Sequence, residues 1–151
     1  MAHFAELESK IDPTGLTSDT HLVVKRVVVV YNEHVPSDEH VDGETWCKNF
    51  FGQDTIWKQT SYNNNFRKKF AGIHDVYDPV KNIFRRRQPF GSWTLDAENE
   101  WQPPVPEPVK DTDQVGYNLT WDEPGQKWTA VKFEDQSQWN WDPVGLAWVA
   151  A

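Results

Sequence analysis

The sequence predicts a mainly β, α+β protein: an antiparallel sheet with one short helix, followed by C-terminal β-hairpins. Three observations carry this. Leu22 to Tyr31 is a β-branched run with the composition of a buried strand. A short aromatic motif recurs at hairpin spacing. Ten prolines and one methionine argue against a helical bundle. With 151 residues the chain is long enough for one ordinary domain, or one domain with a small appendage. A chain of this size buries roughly 70% of its unfolded surface, so a core forms without staples. Cys47 is the one cysteine, which excludes an intrachain disulfide and a four-cysteine zinc site.

The elements follow in order. His3 to Leu7 alternates weakly and reads as an edge strand. Asp12-Pro13-Thr14-Gly15 is a turn signal. Leu22 to Tyr31 should be the central strand, with Val23, Val24, Val27, Val28, Val29 and Val30 in the core. Lys25 and Arg26 interrupt it, so one end is solvated or the strand bulges. Pro36-Ser37-Asp38 opens a loop. From Val41 to Phe51 the period turns helical, with Asp42 as N-cap and Gly52 closing the C-terminus. Trp46 and Phe50, and Cys47 and Phe51, fall four apart on its apolar face. Thr55 to Tyr62 reads as a strand, with Ile56, Trp57 and Tyr62 as core candidates. Asn63-Asn64-Asn65 makes a tight turn, and Phe66 to Phe70 returns. Gln102 to Pro108 contains four prolines and must be extended. It reads as a semi-rigid strap, residues 102–110, between a main domain (1–101) and a hairpin extension (111–151).

The recurring motif is the most informative feature. Tyr77-Asp78-Pro79-Val80-Lys81-Asn82-Ile83-Phe84 places two aromatics seven apart. Trp121 to Trp128 and Trp141 to Trp148 do the same, and Trp93 to Trp101 is a looser copy. Each strict copy has Asp after the first aromatic and Pro one or two residues later. This is the chemistry of a hairpin: Asp accepts from turn amides, Pro presets φ, and Gly or Asn supplies positive φ. A four-residue loop sets the two aromatics opposite each other. Trp121, Trp128, Trp141 and Trp148 then pair across strands to fill a thin core, or form an aromatic platform for sugar rings.

Charge is segregated along the chain. Residues 1–56 carry four basic and ten acidic groups, 57–90 eight and two, and 91–151 three and eleven. Arg67, Lys68, Lys69 and Arg85, Arg86, Arg87 are candidate protein-docking groups, or charges that keep a strand edge from pairing. The overall charge of −8 disfavours nucleic acid as a partner. His34, His40, Cys47 and His74 match no compact metal spacing, and nucleophile-elbow, zincin and phosphate-loop motifs are missing. Asp111 and Asp113 are a carboxylate pair of no diagnostic value among 23 acids. No enzyme, cofactor or metal is expected. No apolar run has the length of a membrane span, and Met1 leads into charge rather than an apolar leader stretch.

Several stretches, in this order, are distinctive: Met1 to Ala5, Cys47-Lys48-Asn49-Phe50-Phe51-Gly52, Trp57 to Ile73, Tyr77-Asp78, Pro89 to Trp93, and Trp101 to Pro106. Over about residues 1–106 the chain resembles small virion structural proteins of tailed phages that infect marine cyanobacteria. The segment Asp12 to Asp19 and the His34 to His40 loop depart from that pattern. The resemblance implies a non-enzymatic particle protein, made in the host cytoplasm and present in multiple copies. Its expected place is the outer capsid as a decoration protein, with other virion proteins as partners. The alternative is a tail-fibre or baseplate accessory that binds a host surface glycan through the C-terminal tryptophans. The family supplies no catalytic residues.

Overall fold

The computed structural model describes residues 1–12, 15–16, 18–35, 40–110 and 112–151. The middle of the Asp12–Gly15 turn, the Pro36–Asp38 loop and Asp111 therefore lie outside the described residues. The chain forms two compact units, Met1–Arg87 and Gln88–Ala151. Both are built on antiparallel sheets, and α1 (His40–Phe51) is the one α-helix among the described residues. The predicted mainly β class holds.

The first unit is a five-stranded sheet in the order β3-β1-β2-β4-β5. Its strands are β1 (Ala2–Ile11), β2 (Thr20–Val30), β3 (Ile56–Thr60), β4 (Val76–Asp78) and β5 (Ile83–Arg85). β1 is not an edge strand as expected; it lies between β2 and β3. Phe4, Ala5, Glu6 and Leu7 are all buried, because both sheet faces are covered. Phe4 joins Val30, Cys47 and Trp57 under the helix. Ala5 and Leu7 join Val24, Ala71, Tyr77 and Phe84 on the other face.

The interruption at Lys25 is a bulge. Glu6 pairs with Arg26 and Leu7 with Val24, so Lys25 is the extra residue. Arg26 then reaches Glu6 at 2.5 Å and lies over the rings of Phe51 and Trp57. Val29, expected in the core, is exposed.

Asp42 is not the N-cap; it sits in the first turn of a helix that begins at His40, where a carboxylate complements the dipole. Gly43 is required by a close approach, since a Cβ there would overlap the Phe4 ring. Gly52 ends the helix with φ of +134°, its N–H donating to the Lys48 carbonyl at 2.9 Å. The predicted apolar stripe is wider than the face that is covered. Cys47 is buried, whereas Phe50 is 68% exposed and stacks on Trp46 at 5.0 Å.

Trp57 is buried, but Ile56 and Tyr62 are exposed; Tyr62 lies past the end of β3 and stacks on His3. Phe66 to Phe70 is not a returning strand. Arg67 and Lys68 have φ of 51° and 70°, outside extended backbone. The segment is a loop held by Asn64, itself at φ 59°, whose side-chain oxygen accepts from the Phe70 N–H at 2.6 Å.

The second unit has a four-stranded sheet in the order β11-β10-β9-β8 and a small two-stranded ribbon, β6-β7. The strands are β6 (Thr94–Leu95), β7 (Trp101–Gln102), β8 (Tyr117–Asp122), β9 (Lys127–Lys132), β10 (Gln138–Asp142) and β11 (Ala147–Ala150). Trp121, Trp128 and Trp141 form its core, with Phe90, Trp93, Val105, Leu119 and Trp148 packed around them. The proline-rich strap thus belongs inside this unit, and the division between units falls at Arg87/Gln88. The physical reason is the indole N–H. The Trp128 indole donates to the Val105 carbonyl at 2.9 Å, and that of Trp148 to the Asp113 carbonyl. Extended backbone outside a sheet ladder has carbonyls to offer, and buried indoles need an acceptor.

Candidate functional site

The three strict copies of the motif are hairpins in the predicted register. Tyr77 pairs with Phe84, Trp121 with Trp128, and Trp141 with Trp148. The two tryptophan pairs meet edge to face, with centroids at 5.3 and 5.1 Å. The aspartate accepts from turn amides as expected. Asp78 Oδ1 takes the N–H groups of Val80 and Lys81 at 2.9 and 3.1 Å, and Asp142 Oδ1 takes that of Val144 at 3.0 Å.

The turn conformation differs from expectation in one respect. Positive φ falls at the sixth position of every copy: Asn82 (55°), Gln126 (46°) and Leu146 (52°). Gly125 and Gly145 occupy the fifth position and serve a different need. A Cβ on Gly145 would lie 2.7 Å from Asp142 Oδ2, and one on Gly125 would run into Asp122. Glycine makes room for the carboxylate. The looser copy pairs Leu95, not Trp93, with Trp101. Trp93 turns instead to Trp121 and Trp128, at 6.0 and 6.1 Å.

Of the four candidate platform tryptophans, Trp121, Trp128 and Trp141 are 6%, 6% and 7% exposed. Trp148 is half-buried and stacks on Tyr117 at 5.1 Å. Sequence reasoning missed Glu123. It accepts from the Trp121 indole at 2.7 Å and from the Ser92 N–H and hydroxyl at 2.8 and 2.7 Å. Those bonds, first from Trp121 and then from Ser92, hold its carboxyl below the usual range. No local pattern signals a contact 31 residues away.

The basic triplets divide between internal and external roles. The Arg67 side chain is 8% exposed and donates to Glu44 at 3.1 Å, to the Gln59 carbonyl at 2.9 Å and to Asn82 at 2.9 Å. Tyr77 donates to the same Asn82 oxygen at 2.5 Å. This network ties α1, β3, the 63–70 loop and the β4-β5 hairpin together. Burial raises the Tyr77 hydroxyl, and the Arg67 charge opposes that. Lys69 pairs with Asp75. Lys68 is half-buried. Arg85 is half-buried, and burial lowers its pKa against the pull of Asp78 and Asp12. Arg86 and Arg87 are exposed.

Other candidate groups are absorbed in packing. Burial, aided by Glu44, pushes the Cys47 thiol up to about 12, which suits a core thiol rather than a nucleophile. His34 stacks on Trp46 at 4.7 Å, and His40 bonds Gln59 at 2.7 Å. Among the described residues, no three His, Cys, Asp or Glu side chains are grouped to hold a metal ion. Among them, too, no helix is long and apolar enough to cross a membrane. No family model, curated protein or solved structure matches the chain.

Proposed function

We propose that the chain is a non-enzymatic structural protein of a phage particle, exposed on the outer capsid as a decoration protein. One observation carries this reading: the second unit buries its paired tryptophans against each other and under its own proline strap. The aromatic surface is committed to holding a small unit together, which suits a part that must persist outside a cell. The motif order over residues 1–106 supports the same assignment. Burial of Trp121, Trp128 and Trp141 weighs against a sugar platform built on those rings.

Docking uses the basic end of the first unit. Arg86 and Arg87 project to solvent there, with Lys68 half-buried. Arg67 and Lys69 support the loop that carries Lys68. The complementary surface is an acidic face of a capsid subunit.

Particles lacking the protein, mixed with purified chain and imaged, test the proposal. Regularly spaced density on the outer capsid is expected. Arg86→Glu combined with Arg87→Glu should abolish it, and attachment should weaken as salt rises. Density confined to the tail would support the fibre or baseplate role instead. Absence of attachment would remove the particle reading.

A further inference from the structure

The face of the four-stranded sheet opposite the tryptophans carries a feature that the particle reading does not use. The pairing sets Asn118, Val131 and Gln138 side by side across β8, β9 and β10. Thr120, Thr129 and Asn140 form the adjacent row. These six residues line an open groove of about 320 Å³. Strand geometry spaces neighbours about 4.8 Å across the sheet and about 6.8 Å along it.

Every side chain that lines the groove is uncharged. Yet residues 88–151 carry three basic and eleven acidic groups, a net of 3 − 11 = −8. A water-facing sheet face is ordinarily kept soluble by Lys and Glu. Here the charges of this face, Asp122, Lys127 and Asp142, follow in the next row by strand alternation, and the groove itself holds amides and hydroxyls. A side-chain amide offers two donors and two acceptor lone pairs, and a hydroxyl offers one donor and two acceptor lone pairs. Such groups match vicinal hydroxyls, which also donate and accept. Val131, half-buried in the first row, gives an apolar spot for a C–H face. A polyanion would be repelled by the unit's charge.

We infer that this groove binds a neutral oligosaccharide, gripped through its hydroxyls by the two rows of amide and hydroxyl side chains. The site is distinct from the tryptophan face and stands whether or not the chain decorates a capsid.

Isotope-labelled full-length chain should be titrated with neutral hexasaccharides of glucose, galactose and mannose, with an oligogalacturonate as the acidic control. At least one neutral probe is expected to shift the backbone amides of residues 118–120, 129–131 and 138–140. The acidic control should leave them unmoved. Asn118→Asp and Asn140→Asp each place a carboxylate in the groove at nearly constant shape. Each should weaken binding about tenfold. Gln138→Glu serves as a second variant if either perturbs the spectrum beyond the groove. Three outcomes would overturn the inference: no neutral probe shifts these amides, the shifts gather at Trp121, Trp128, Trp141 and Trp148, or the acidic variants bind as wild type does.

Discussion

The two units reach stability by different routes. The first covers both faces of a sheet, one with a helix and one with loop residues such as Ala71. Its charges balance at twelve basic and twelve acidic, and Glu44–Arg67 and Lys69–Asp75 are ion pairs inside it. The second unit is smaller, carries −8, and shows no α-helix among its described residues. It assembles its core from indoles and closes them with the carbonyls of Val105 in the strap and Asp113 beyond it. A thin sheet lacks the depth for an aliphatic core. Large rings with a polar edge solve that, each ring burying area and its N–H fixing the covering segment.

The largest expected effects separate the units. Trp128→Ala removes a ring that touches Trp93 and Trp121 and holds Val105. It should cost about 3–5 kcal/mol and unfold the second unit, while the first stays folded. Phe4→Ala should do the reverse, at a similar cost. Denaturation followed by unit-specific probes checks both.

Glu44→Ala comes next. It leaves the Arg67 guanidinium buried without its carboxylate and should cost about 3–5 kcal/mol, at the upper end only if water cannot enter. Replacing both residues by Met should cost much less, and comparison of the single and double variants measures the difference.

How far each unit was legible follows from the same contrast. The hairpin pairs were readable because spacing seven with Asp and Pro is local chemistry, and Tyr77–Phe84 obeys it as well as Trp141–Trp148 does. What failed were contacts distant in sequence. Weak alternation over His3 to Leu7 made β1 look like an edge, because Glu6 is buried against Arg26, 20 residues away. Arg67 looked like a docking group because Glu44 is 23 residues away. The strap looked like a linker because its Val105 carbonyl meets an indole 23 residues distant. Periodicity placed Ile56 and Phe50 inside, although the faces they occupy are left uncovered.

Smaller effects sharpen the account of the second unit. Trp148→Ala, at a half-buried ring, should cost about 2 kcal/mol and increase cleavage after residue 110. Trp93→Phe should cost less than Trp128→Phe, because the buried Trp93 indole N–H has no acceptor among the described residues. Leu146→Gly relieves a leucine at φ 52° and should stabilise by about 0.5–1 kcal/mol in thermal melts.

Glu123 gives a pH signature. Its carboxyl is held below the ordinary value, so its contribution is present above the ordinary carboxylate range and is lost as pH falls through the lowered value. The stability gap between wild type and Glu123→Gln should therefore be full at neutral pH and close in acid.

The central claim is that paired tryptophans beneath the strap hold the second unit together independently of the first. Native-state hydrogen exchange on full-length Trp128→Ala tests it most directly. The account predicts that amides in β8 to β11 lose protection together while those in β1 to β5 keep theirs. Retained protection in β8 to β11, or equal loss in both units, would contradict it.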